Sequence, residues 1–255
     1  MLQNSFILLE GVGYRIEQRL WRQGLLCWED FLEWDRVRGF SPRLKERYDR
    51  ELEEARRCLI EGRSSYFREK LKPRDAWRLY QEFRDSACFL DIETTGLSPG
   101  ESEVTVVGVS DGREVKTFIK GVNLTQEALA REISRHGLLV TFYGAAFDLP
   151  FLRRKFPALR LDIPHIDLCF AGRRAGLRGG LKVVERELGI ERMEDIEGVD
   201  GLEAVRLWRR WEREKDPDAL HTLVEYNRAD TANLKPLAEE VYRRLRDSTF
   251  IEKTS

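Results

Sequence analysis

Along the first part of the chain, apolar residues recur at helical spacing. In "YRIEQRLWRQG", Ile16, Leu20 and Trp21 share one helix face, and Gly24 supplies a stop. "CWEDFLEW" reads as a second helix. "SPRLKERYDRELEEARRCLIEG" reads as a third, with Ser41 as N-cap, Pro42 in the first turn and Gly62 as the stop. "DAWRLYQEFRD" predicts a fourth. At Ala87 the period changes from helical to alternating. "CFLDIET", "EVTVVGVSDG" and "EVKTFIKG" are rich in β-formers, and the turn signals "SPGES" and "DGR" separate them. They predict an antiparallel meander. A helix ("TQEALAREISRHG"), a strand ("LLVTFYG"), a helix with an internal proline ("FDLPFLRRKFP") and a short strand ("HIDLC") follow. From Leu181 onward the pattern is helical, and Pro236 predicts a bend or break in the last long segment. This order implies an α/β chain with a mixed sheet over residues 86–250, preceded by a small all-helical region over residues 1–85.

Composition narrows the class. The 255 residues are 42% hydrophobic and 35% charged, and the charges cancel to a net −1. No global basic field exists, so binding to nucleic acid has to come from local patches. Cys27, Cys58, Cys88 and Cys169 lie far apart with no CxxC pair, which implies reduced thiols rather than a zinc or redox site. No apolar run approaches the length of a membrane span, and the N-terminus lacks a basic leader pattern. A cytoplasmic chain without membrane contact, and a monomer, are the expectations.

"FLDIETTGLS" carries the candidate chemistry. Alternate residues of a strand share a face, so Asp91 and Glu93 point one way while Leu90 and Ile92 point into the core. Two like charges this close repel, so either one is protonated or both hold a cation. Oxygen-only ligands favour Mg²⁺ or Mn²⁺. A surface turn with two solvated acids is the competing reading of this stretch alone. Asp148 follows a strand at a helix start, where an N-cap is the plain reading. Tyr226 and Asp230 are four apart on a helix and share a face, which is also compatible with solvation.

Together these segments resemble a known family. "FLDIETTGL", "GAAFD" and "EYNRAD", in that order, are similar to the motifs of the DEDD exonuclease superfamily of ribonuclease-H-like folds. The stretch "HIDLCFAGRRAGLRGGLKVVERELGIERMEDIEG" resembles the YprB-type domains within it. The resemblance covers roughly residues 87–245 and implies a ribonuclease-H-like fold. It implies that Asp91, Glu93, Asp148 and Asp230 hold two divalent cations about 3.5–4 Å apart. Tyr226 stands where the tyrosine subclass (DEDDy) has its Tyr, whereas position 225, where the histidine subclass needs His, is Glu. With a pKa near ~10, a tyrosine would orient the attacking water rather than deprotonate it. Backbone groups of Thr94, Thr95, Gly96 and Leu97 would hold the terminal nucleotide. The implied reaction is 3′-to-5′ hydrolysis of single-stranded or 3′-ended DNA or RNA. One departure stands out: "GAAFD" lacks the Asn that usually precedes the second-motif Asp. A structure-specific endonuclease and a non-catalytic nucleic-acid-binding module are the alternatives.

Contacts to nucleic acid have further candidates. "GRRAGLRGGLK" gathers Arg173, Arg174, Arg178 and Lys182 among glycines, as either a phosphate-binding or a solvated loop. Arg153, Arg154 and Lys155 follow Asp148 on its helix. "LLEGVGYRIEQRLWRQGLLCWEDFL" resembles a helix-hairpin-helix element, which implies that Gly11 and Gly13 present amides to a nucleic-acid backbone. His136, His165 and His221 read as ordinary packed or exposed histidines, and Asp167 as a strand-end acid or a support for ligands.

Overall fold

The structure, a computed structural model, describes residues 1–192, 196 and 198–250. The part of the YprB-type resemblance carried by residues 193–195 and 197 lies outside the described residues.

The helical region holds α1 (Tyr14–Arg22), α2 (Trp28–Glu33), α3 (Pro42–Ile60) and α4 (Ser64–Lys70). Ser41 caps α3 by accepting from the Leu44 amide, as its position predicts. The expected fourth helix is instead a 3₁₀ segment (Pro73–Leu79), a single α-turn α5 (Tyr80–Phe83) and a second 3₁₀ turn (Arg84–Ser86). Asp75, Ala76, Trp77, Arg78 and Leu79 are all buried. Five consecutive buried residues cannot lie on one α-helical stripe, and the tighter coil accommodates them. α4 escaped the sequence reading because "SSYFREK" is too short to show a period.

No helix precedes the "GVG" turn, so the helix-hairpin-helix expectation is not met in its first half. Residues 1–13 form turns closed by Leu9 N–H to Phe6 O (3.0 Å) and Val12 N–H to Leu9 O (3.1 Å). The physical reason is a buried polar knot. Glu17 accepts from the Phe6 and Ile7 amides and forms a two-pronged ion pair with Arg78, at 2.9 Å on each prong. Amides that a helix would have used internally go to this carboxylate instead.

The sheet has the order β3-β2-β1-β4-β5. β1 (Ala87–Thr94), β2 (Val104–Ser110) and β3 (Val115–Ile119) form the expected antiparallel meander. β4 (Leu138–Thr141) and β5 (His165–Asp167) add in parallel on the other side of β1. α6 (Gln126–Ile133) and α7 (Asp148–Lys155) cover one face, where Leu129, Ile133, Leu149 and Leu152 pack on Cys88, Leu90 and Ile92. The chain continues through α8 (Leu168–Arg174), α9 (Leu181–Leu188), α10 (Gly201–Glu214) and α11 (Pro217–Thr249).

α11 crosses the other face. Its buried stripe runs through Leu223, Tyr226, Asn227, Asp230, Thr231, Leu234, Leu237, Ala238 and Val241. Of the bend or break expected at Pro236, the break does not occur. The proline removes one backbone donor, but Leu234, Leu237 and Ala238 around it are buried, and that burial outweighs the lost bond. The same core joins the C-terminal half of α11, the apolar start of β1 (Ala87, Phe89) and the N-terminal helices. Packing is therefore continuous across the change of composition at residues 85–86. No helix among the described residues is long and apolar enough to cross a membrane.

Candidate active site

The face of β1 that begins with Ala87 and Phe89 in the core ends with Asp91 and Glu93. What these acids meet is decided by a glycine on the neighbouring strand. Gly108 sits opposite Asp91 in the β1–β2 register. A Cβ there would lie 2.1 Å from Thr231 Oγ1 and 2.6 Å from Asn227 Oδ1. The missing side chain lets α11 descend onto the sheet, and Asn227 Nδ2 then donates to Asp91 Oδ2 at 2.9 Å. One turn later the same helix face brings in Asp230. One carboxylate oxygen each from Asp91, Glu93 and Asp230 lies within 4.8 Å of the others.

Asp148 lines the same pocket from the first turn of α7 but lies outside that closest group. The turn that delivers it is built by Asp167. Its carboxylate accepts from the Tyr143 and Ala145 amides, each at 2.9 Å, and from the Cys169 amide at 3.0 Å. Tyr143 takes a left-handed backbone (φ 64°), a strained choice for a bulky residue, which these bonds hold in place. Asp167 is thus a support for the Asp148 turn. His165 is half-buried and paired with Thr141 Oγ1 at 2.8 Å, and desolvation pushes its pKa down to about 4. His221 is exposed on α11, away from the acids.

The electrostatics of the cluster are unfavourable for four free carboxylates. Burial, then the neighbouring acids, drives Asp91 and Glu93 well above the usual carboxylate range. Burial pushes Asp148 up to about 7 against its own backbone amide. Asp230 is also raised by burial, with Arg192 opposing. Tyr226, 6% exposed, is held as a neutral phenol by burial and by the adjacent carboxylates.

Arg192 was not legible in the sequence. Its Nη2 is 2.5 Å from Asp230 Oδ1, and its Nε and Nη2 donate to Glu185 at 2.6 and 2.8 Å. Asn233, one turn beyond Asp230, donates to Glu185 at 2.9 Å. Only the approach of three separate elements creates this network. Asn227 did leave a signal: it is a polar residue inside the apolar stripe of α11, as are Asp230 and Thr231. The Tyr226–Asp230 pair is buried rather than solvated for the same reason.

The donor set fits a hard divalent cation. It is oxygen-only and mutually repelling, with Glu93, Asp148 and Asp230 buried and Asp91 half-buried, and Asp230 Oδ1 makes no aligned hydrogen bond. Asp91, Glu93, Asp148 and Asp230 all line a pocket of about 690 Å³ together with Tyr226 and residues 94–97. Thr94 Oγ1 donates to Gly96 O at 2.6 Å, and Thr95 Oγ1 accepts from the Glu103 amide at 2.9 Å. These bonds fix the turn and leave Leu97 87% exposed at the pocket mouth. Lys182 lies 4.9 Å from the Tyr226 ring centre.

Other expected contacts lie elsewhere. Arg173 and Arg174 belong to α8 rather than to a loop and do not line this pocket. Arg173 covers the Phe170 ring, and Arg174 bonds to the Arg74 carbonyl and faces Asp75. Gly11 and Gly13 are exposed in the helical region.

A mixed sheet whose central strand bears paired acids, completed by an acidic final helix, defines an RNase H-like domain. The family model RNase_H_2, of the RNase_H superfamily, matches residues 88–242, and the chain belongs to that superfamily. Among solved structures the chain is similar to one described as the apo form of the nuclease. Identity is 22%, coverage is 70% of this chain and 80% of the other, and the TM-score is 0.49. It is also similar to Brucella melitensis NrnC with bound Mg²⁺ (22% identity, 66% and 78% coverage, TM-score 0.48). The family B DNA polymerase of the archaeon Pyrobaculum calidifontis is a further likeness (19% identity, 61% and 24% coverage, TM-score 0.48). No curated protein matches the chain.

Proposed function

We propose that this protein is a metal-dependent 3′-to-5′ exonuclease acting on DNA or RNA, of the tyrosine subclass of DEDD enzymes. The observation that carries the reading is the convergence of Asp91, Glu93, Asp148 and Asp230 on one pocket beside Tyr226. Burying four acids together is costly unless cations neutralise them. Two divalent cations, Mg²⁺ or Mn²⁺, held by these acids would supply charge neutralisation at the phosphate and an acidified water at neutral pH.

The chain's own residues have distinct tasks in this reading. Asn227 fixes the Asp91 carboxylate, and Gly108 makes room for Asn227. Arg192 holds Asp230 in position through the Glu185–Asn233 brace. The neutral phenol of Tyr226 donates a hydrogen bond that orients the nucleophilic water; it does not remove a proton. The turn at residues 94–97 holds the terminal nucleotide, with Leu97 as its exposed apolar contact. Lys182 sits close enough to Tyr226 to meet a phosphate oxygen.

The test is degradation of 3′-labelled and 5′-labelled single-stranded DNA and RNA with Mg²⁺, Mn²⁺ or EDTA, beside Asp91→Ala. Mononucleotide release from the 3′ end, dependent on metal and lost in Asp91→Ala, is the expected result. Internal cuts would replace the exonuclease by an endonuclease. Binding without cleavage would replace it by a binding module.

A further inference from the structure

The pocket has a second wall that the acids do not use. α10 begins after Asp200, whose side chain caps it by accepting from the Leu202 and Glu203 amides. One of its faces is ordinary core: Ala204, Leu207 and Trp208 pack with Val106 of β2 and Leu223 of α11. A different face carries Leu202, Val205, Arg206 and Arg209, and all of these line the acidic pocket. Their spacing of i, i+3, i+4 and i+7 makes one continuous helix stripe. Apolar residues on such a stripe are normally covered, yet Leu202 is 62% exposed.

The charges on this stripe are also unspent. Among the described residues, Arg206 makes only an exposed ion pair within its own helix, to Glu203 at 3.1 Å. Among the described residues, Arg209 pairs with no carboxylate, and neither arginine reaches the four acids across the pocket. Two guanidiniums and two apolar side chains thus face an open space of about 690 Å³. That combination suits alternating phosphates and bases: arginine forks match phosphate oxygens, and the apolar positions meet base or sugar faces. A pocket of this size has room for one or two nucleotides.

We propose that the Leu202–Val205–Arg206–Arg209 face of α10 grips the single strand on the 5′ side of the cleaved bond. This rests on the nuclease reading above and assigns its upstream contacts. The turn at residues 94–97 takes the terminal nucleotide, and α10 takes the next phosphates from the opposite wall. The grip reads the backbone and not the sequence.

The test is fluorescence anisotropy of the full chain with short labelled DNA and RNA strands, Ca²⁺ replacing the catalytic metal, across a salt series. The double variant Arg206→Ala/Arg209→Ala should weaken the Kd on the order of tenfold, and the slope of log K against log salt should fall by about 1.4. Replacing both by lysine should restore most of the slope. Arg243→Ala, about 20 Å further along α11 than Asp230, removes a charge and should leave the Kd unchanged. The replaced side chains are exposed, so the thermal midpoint should stay that of the wild type. If the wild type binds and degrades the strand while the double variant keeps the same Kd and slope, the α10 grip is wrong and the nuclease reading stands. If the wild type neither binds nor degrades it, the nuclease reading falls and takes the grip with it.

Discussion

In the metal-free protein the acid cluster should make stability fall as pH rises, the reverse of ordinary acid denaturation. The perturbation is simply pH in EDTA. Asp148 is 3% exposed and its pKa goes from 3.8 to about 7 on folding. A folded pKa above the unfolded one means that the fold favours the protonated form. Its contribution is present in full below the unfolded value and is lost as pH climbs through about 7. At about 1.4 kcal/mol per unit, the loss from Asp148 alone is on the order of 4 kcal/mol. Asp91, Glu93 and Asp230 shift in the same direction and deepen the loss. For a domain of this size it amounts to a drop of about 10 °C in the thermal midpoint. Differential scanning fluorimetry from pH 4 to pH 8 measures it. Saturating Mg²⁺ should offset much of this loss, since a ligand at a hundred times its Kd adds about 2.7 kcal/mol and binds only ionised carboxylates. Asp148→Asn, which has no charge to lose, should flatten the EDTA profile. A midpoint that rises with pH in EDTA, or an unchanged profile in Asp148→Asn, would refute the reasoning.

Four further outcomes follow from the site. Alanine at Asp91, Glu93 or Asp230 should abolish metal-dependent cleavage of a labelled strand, and for Asp91 or Glu93 the EDTA midpoint should hold or rise because a repelling charge has gone. Tyr226→Phe should lower kcat about a hundredfold and leave the metal Kd, read by titration calorimetry, as in the wild type. Arg192→Met strands the buried Asp230 and Glu185. It should destabilise the EDTA form by about 3 kcal/mol in denaturant melts and enlarge the Mg²⁺-induced rise in midpoint. Gly108→Ala should cost about 2 kcal/mol by pushing α11 off the sheet, and it should weaken metal binding because Asn227 no longer holds Asp91.

The sheet was legible because its strands announce themselves by period and punctuation, and Asp91 and Glu93 because alternation puts two acids on one face. The order of the acidic motifs located Asp148, Tyr226 and Asp230, although no spacing could show that they meet. The misses have a common cause: the energy that decides them is tertiary. The coil at residues 73–86 follows from burial on every side, and the continuity of α11 at Pro236 follows from burial around the proline. The turns before α1 follow from the Glu17–Arg78 pair, 61 residues apart in sequence. Arg192 belongs to the same class: its meaning exists only once α9, α11 and the loop after α9 are in contact. The stripe on α10 was there as a period, but amphipathicity alone does not say that one of its edges faces an open pocket.

The placement of Asp230 on the last long helix has a consequence for a chain made in order. Asp91, Glu93 and Asp148 are synthesised first, yet the cluster closes only when α11 lies across Gly108. Until that helix docks, a growing chain carries three of the acids with nothing to align them. The same docking completes the core shared by the helical region and the first strand. Closure of the acid cluster and completion of the fold are thus one event, set by the docking of a single helix.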